Sequence, residues 1–219
     1  MELLKIPNVN SRSLMMEHSL QVAMHLCHLK NYEGMFAVMT SLTSGPIFRL
    51  KGTFEGMSPT AKGVYANLKS YFADNFKRYR KELSDTLADP AKGGGGAVGA
   101  GVGGGGPILM YTACTLRDLT YIEELKNLKE EDRTFLNWKK MEMLYDIFRG
   151  ISRVRESAYP FSEIPGISQY FLARVQESED DLYRISKELE PPALTVTTPA
   201  QRSGDAAGEK EKGERRRER

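Results

Sequence analysis

Between Lys92 and Pro107 the chain reads KGGGGAVGAGVGGGGP, and within it Gly99-Ala100-Gly101-Val102-Gly103-Gly104 fits G-x-G-x-x-G. That pattern can cradle a dinucleotide or ATP phosphate, provided it follows a strand and opens a helix. Here ten of the fourteen residues from Gly93 to Gly106 are glycine, so composition alone produces the match. No strand pattern precedes it, Pro107 follows it, and no Gly-Lys-Ser/Thr ends it. The stretch reads as a linker inserted between helices. His18, His25 and His28 fall on one helical stretch with Cys27 beside them, and positions 25 and 28 have a spacing that can share a metal. No second ligand pair occurs elsewhere, so ordinary core or surface histidines are expected, with no metal and no cofactor. G-x-S-x-G, H-E-x-x-H and EF-hand patterns are absent. Glu123-Glu124 and Glu130-Glu131-Asp132 read as a solvated helix end and loop. On site chemistry alone this is not an obvious enzyme.

Composition narrows the rest. The 219 residues suffice for one domain with a core and a tail. A net charge of +2 gives no pull towards nucleic acid or an acidic membrane. Two cysteines without a CxxC suit a reducing compartment. No apolar run approaches the length of a spanning helix, and MELLKIPNVNSRS lacks the basic and apolar regions of a secretory leader. A cytoplasmic protein is expected. From 193 to 219 the chain carries mixed charge and no large apolar residue after Val196, so a disordered tail is expected. Its Arg215-Arg216-Arg217 cluster reads as a solvated end.

The elements that must position any site are helices. Residues 11–30 read as the first, capped by Ser11 or Ser13, with Leu14, Val22, Leu26 and Leu29 as its apolar stripe. Residues 31–44 are apolar almost all round, as suits a central helix. Gly45-Pro46 breaks it. Ser58-Pro59 opens a helix over 59–72 with Val64, Leu68, Tyr71 and Phe72 on one face. Asp74 caps the next, 74–87, whose Phe76, Tyr79 and Leu83 point inward. Residues 112–124 and 134–157, joined by LKNLKEEDR, read as an antiparallel helical hairpin, and 166–176 and 178–189 close the domain. No segment alternates with period two, so the fold class is all-α: an irregular multi-helix domain with a protruding hairpin, a Gly-rich insert over 90–107 and a tail.

Several motifs are more specific than periodicity. Leu29-Lys30-Asn31-Tyr32 leads into Met35–Thr43, then Ser44 through Arg49-Leu50. Asn75-Phe76-Lys77-Arg78-Tyr79 follows. Next comes the run Leu116-Arg117-Asp118-Leu119-Thr120-Tyr121-Ile122-Glu123-Glu124, then Phe135-Leu136-Asn137-Trp138 and finally SEDDLYRISKELEPP, 178–192. In this order they resemble the Cdc25-homology catalytic domain of Ras-family guanine nucleotide exchange factors, over roughly residues 12–192 of a domain spanning 1–192. The resemblance implies binding of a small GTPase of Ras, Rap or Ral type and release of its nucleotide. It implies no nucleic-acid partner, and contact with a membrane only through the lipidated GTPase.

In that family the hairpin wedges open the first switch of the GTPase and the domain remodels the second. The resemblance then puts Phe36, Thr40, Thr43, Phe48, Phe76 and Tyr111 around a bowl for the second switch. Thr120 falls where a side chain faces the magnesium site, and Glu124 where a carboxylate mimics or repels phosphate. Phe36 and Phe48 also suit plain core positions, whereas Thr40 and Thr43 on an apolar helix favour a surface stripe. Measured against the family, three features depart. The earlier helices are absent, Leu125-Lys126-Asn127 replaces the Gly-Asn-Pro turn, and the glycine insert stands before the hairpin. A non-exchanging scaffold, or an inactive piece of an exchange factor, is the alternative reading.

Overall fold

The computed structural model describes residues 2–88, 107–127, 136–155, 158–174 and 177–192. The glycine stretch 93–106 and the tail from 193 lie outside these residues, as do the linker and disorder expectations attached to them. The fold is all-α, as its sequence patterning predicts. The helices are α1 (Val9–His28), α2 (Tyr32–Thr43), α3 (Gly45–Phe48), α4 (Lys51–Glu55), α5 (Pro59–Lys69), α6 (Lys77–Ala88), α7 (Thr112–Glu124), α8 (Trp138–Arg155), α9 (Pro165–Leu172) and α10 (Glu179–Leu189).

The core is built around α1 and α2. Asn8, not Ser11 or Ser13, caps α1, its side chain accepting from the Ser11 N–H at 3.0 Å. The buried face also differs from the expected stripe. Met16, Leu20, Ala23 and Cys27 are buried, while Leu14 is 67% exposed and Val22 faces out. Polar anchoring decides the rotation. Ser13 donates to the Thr53 carbonyl at 2.8 Å, and Arg12 is drawn wholly inside, so the residues that follow them at helical spacing turn inward too. On α2, Asn31 accepts from the Gly34 N–H at 2.8 Å, and Tyr32, Met35, Phe36 and Met39 are fully buried. Ala37, Thr40 and Ser41 face out, so this helix is one-sided rather than buried all round.

Gly45-Pro46 breaks α2 but at once starts α3, because proline suits a first helical turn. Gly45 also lies against α10: a Cβ there would require the Tyr183 hydroxyl to shift. Ser58 caps α5 and Pro59 sits in its first turn, as expected. The start of α6 is not as expected. Asp74 makes no capping bond, and Asp74, Asn75 and Phe76 all take left-handed φ values of 49°, 57° and 59°. Such conformations are costly for side-chain-bearing residues and persist only where surrounding packing holds them. The ring of Phe76, described below, packs on Phe36.

The chain ends of the described domain are locked together by one polar network. Arg12 donates to Ile6 O at 2.9 Å, Pro7 O at 2.7 Å, Thr53 Oγ1 at 3.0 Å and the Glu190 carboxylate at 3.0 Å. Glu190 also accepts from the Gly52 N–H at 3.0 Å, the Thr53 N–H at 3.1 Å and the Thr53 hydroxyl at 2.8 Å. Arg49 donates to Glu190 O at 2.7 Å. The last turn of α10 is thereby tied to α1 and α4.

Candidate functional site

Aromatic side chains from three parts of the chain converge on Phe36. Its ring stacks on Tyr111 with centroids 4.1 Å apart and meets Phe72, Phe76 and Tyr79 edge-on at 4.8, 5.6 and 5.5 Å. Phe76 and Tyr111 lie 5.8 Å apart, and the Arg117 guanidinium sits 5.1 Å over the Phe76 ring. Three of the six expected bowl residues, Phe36, Phe76 and Tyr111, are thus brought together. They are not equivalent: Phe36 is fully buried, whereas Phe76 and Tyr111 are half-buried. Phe36 is the floor, and the other two rings lie over it with part of their surface exposed. Tyr79 holds this arrangement, its hydroxyl oxygen accepting from the Tyr111 N–H at 3.0 Å. Burial pushes the Tyr79 phenol up to about 12, partly opposed by that same bond, so it stays neutral.

Thr40 is exposed on α2, and Thr43, one turn on, is half-buried with its hydroxyl donating to Met39 O at 2.9 Å. Phe48 is 57% exposed, and its ring contact is with Phe54 at 6.1 Å, which continues to Tyr65. Among the described residues it shares no ring contact with the Phe36 group. His25 and His28 meet edge-on at 6.5 Å. Among the described residues no three His, Cys, Asp or Glu side chains gather as a metal site. No helix of the described residues is long and apolar enough to cross a membrane.

The helices α7 and α8 form the hairpin. The start of α8 lies at the end of α7, since Lys140 donates to Leu125 O at 2.6 Å and Asn127 Oδ1 at 2.7 Å. The second half of α8 returns alongside the first half of α7, with both lining one cleft, so the helices run antiparallel. Leu125-Lys126-Asn127, at the end of α7, is held to the start of α8. The Asn137 N–H donates to Asn127 O at 2.8 Å and its side-chain amide to Lys126 O at 2.9 Å, while the buried Lys140 ammonium caps the carbonyl end of α7. Thr120 and Glu124 stand on the exposed side of α7; Thr120 spends its hydroxyl on Leu116 O at 3.0 Å. Leu116 and Tyr121 are each 58% exposed.

The root of the hairpin is fixed twice. Leu109 pairs with the turn before α2, donating to Lys30 O at 3.0 Å and accepting from the Tyr32 N–H at 2.9 Å. Arg80 on α6 grips Asp118 on α7 through two bonds of 2.6 Å. Such a fork-to-carboxylate pair fixes direction as well as distance. Sequence reasoning missed this pair. The available signal was spacing: Arg80 precedes Leu83 and Leu87 by three and seven positions, on the side of α6 that faces the hairpin. We expect Asp118→Ala to cost only about 1 kcal/mol of stability, because both groups are a third exposed. Hydrogen exchange across α7 should nonetheless rise clearly. Unchanged protection of α7 would mean that the pair does not hold the hairpin.

Comparison with known proteins agrees with this architecture. Residues 1–142 match the RasGEF domain. The chain is 28% identical to Ras guanine nucleotide exchange factor G of Dictyostelium discoideum, over 86% of this chain and 11% of that protein. It is 27% identical to the mouse Ras-specific guanine nucleotide-releasing factor RalGPS2, over 94% of this chain and 33% of that protein. Against mouse Ras-specific guanine nucleotide-releasing factor 2 the identity is 28%, over 87% of this chain and 15% of that protein. The chain therefore spans a third or less of the length of these relatives. With a family match over more than half its residues and an anchored helical hairpin beside an aromatic floor, the chain belongs to the RasGEF domain family.

Proposed function

We propose that this chain promotes nucleotide release from a Ras-like small GTPase, of Ras, Rap or Ral type, within a single domain spanning 1–192. The observation that carries this reading is the hairpin itself. It stands on a double anchor at its root, has the end of α7 bound to the start of α8 through Lys140, and keeps Leu116, Thr120, Tyr121 and Glu124 exposed along α7. A rigid pair of helices with an outward apolar and acidic face suits a wedge. Exchange makes and breaks no bond. By linkage, a protein that prefers the nucleotide-free GTPase lowers nucleotide affinity by the same factor. In this reading Glu124, at the carboxyl end of α7, competes for donors that held the phosphate. Thr120, one turn earlier, faces the magnesium site. The second switch rests on Phe76 and Tyr111 over the Phe36 floor, with Thr40, Thr43 and Phe48 at its margins. A cytoplasmic setting, with membrane contact only through the lipidated GTPase, goes with this reading.

The test is release of a fluorescent guanine nucleotide from Ras, Rap and Ral in separate reactions. One of them should be accelerated, and Glu124→Ala should slow that reaction about tenfold, the effect of removing roughly 1.4 kcal/mol from the transition state. Its melting temperature should hardly change, because Glu124 is exposed. Binding without acceleration of any of the three would instead make the domain a scaffold. Exchange that is indifferent to Glu124 would remove that residue from the mechanism.

A further inference from the structure

A cleft of about 650 Å³ opens between α6 and the root of the hairpin, away from the exposed side chains of α7 that the exchange reading uses. Its volume lies within the range of small-molecule sites. The floor is apolar: Leu83 and Leu87 from α6, Met110, and Ile147 from α8, with buried Tyr79 and Cys114 beneath. The rim is charged but not balanced. Arg80 and Asp118 neutralise each other through their paired bonds. That leaves Arg149 and Arg153 against Asp146. These three stand on one face of α8 with Gly150 between the arginines, which are one helical turn apart along the helix and both line the cleft. Arg153 spends one nitrogen on the Leu87 carbonyl and keeps its other donors. Among the described residues Arg149 makes no ion pair or hydrogen bond, and its guanidinium lies 6.0 Å from the Tyr145 ring.

We propose that this cleft binds a small amphipathic organic anion, its apolar body on the Leu83–Leu87–Ile147 floor and its carboxylate, sulfonate or phosphate between Arg149 and Arg153. Two arginines at one rim favour a forked anionic head. Gly150 leaves the wall between them open. A Cβ there would meet only the Leu87 side chain, at an ordinary 3.6 Å. Because α6 and α8 form opposite walls, an occupant bridges the domain body and the hairpin. The site stands on the cleft alone and does not depend on exchange activity.

The experiment therefore needs no GTPase. Anilinonaphthalene sulfonate is titrated into the full chain and read by fluorescence, with uncharged phenylnaphthylamine as the comparison. Saturable binding of the sulfonate is expected, about tenfold tighter than that of the neutral analogue. Combining Arg149→Ala with Arg153→Ala should remove that advantage. Gly150→Leu should block the cleft, whereas Gly150→Ala should bind as the parent does. Circular dichroism checks that each variant folds, and the double arginine variant alters only exposed side chains, so it remains informative if Gly150→Leu fails to fold. Equal affinity for the charged and uncharged dyes, or undiminished sulfonate binding by the double arginine variant, overturns the proposal.

Discussion

Phe36→Ala should destabilise the domain by about 3–5 kcal/mol, the range for truncating a buried aromatic side chain. Phe36 has no exposed surface and touches four other rings, so its loss leaves a cavity that none of them can fill without leaving its own contacts. Stacked and edge-on ring pairs add roughly 0.5–1.5 kcal/mol each beyond simple burial. In a chain of this size the melting temperature should fall by on the order of 10 °C. If the proposed exchange function holds, exchange should fall as well, because Tyr111 loses the ring on which it lies just before the hairpin begins. Phe36→Leu, which fills much of the volume, should recover most of the stability but less of the exchange rate. Equilibrium denaturation and nucleotide release together check this. A loss below about 1 kcal/mol would mean that Phe36 is not the floor of this cluster.

Arg12→Ala should be of similar size, about 3–5 kcal/mol, for an electrostatic reason. The guanidinium is fully buried and satisfies two backbone carbonyls, a threonine and the Glu190 carboxylate. Removing it leaves those acceptors unmatched in a poorly solvated place. The effect has a pH signature. Burial works to raise the Glu190 carboxyl, but bonds from Thr53, the Gly52 amide and Arg12 outweigh it and hold the group below its ordinary 4.5. A depressed carboxyl contributes stability that is fully present above the unfolded value. That contribution is lost as the pH falls through the folded one. The parent chain should therefore lose stability below about pH 4.5 more steeply than Arg12→Ala, and the two curves should converge in acid. Parallel curves would show that Arg12 does not set the Glu190 ionisation.

Local signals were legible in the sequence wherever a short stretch decides its own conformation. Ser58-Pro59 opens α5, Gly45-Pro46 closes α2, and the hairpin helices fall within a few residues of their expected bounds. What was not legible depends on partners distant in the chain. The rotation of α1 follows from Arg12 and Ser13 bonding to Thr53 and Glu190, so no count of leucines along α1 alone could find it. The left-handed turn at Asp74–Phe76 leads into a ring that packs on Phe36, a partner distant in the chain; read locally, Asp74 is a good cap. In the candidate site the same division holds. The motif around Thr120 and Glu124 is contiguous and visible, whereas the Arg80–Asp118 grip joins two helices whose neighbourhood is set by the whole fold. The aromatic residues were identifiable one by one, but which ring lies beneath and which lies above is a packing result.

The pairing of Leu109 with Lys30 and Tyr32 has a consequence for the order in which the molecule assembles. Helices α1 and α2 are neighbours in sequence and can meet early, since short loops close at little entropic cost. The strand-like contact at Leu109 joins residues far apart in sequence, so contact order favours its forming after the α1–α2 junction. Its own acceptor and donor are backbone groups at the α1–α2 junction, which exist in the right orientation only once that junction has formed. The hairpin is thus expected to dock late, onto a template that the first two helices complete, and substitutions at Leu109 should change the unfolding rate more than the folding rate.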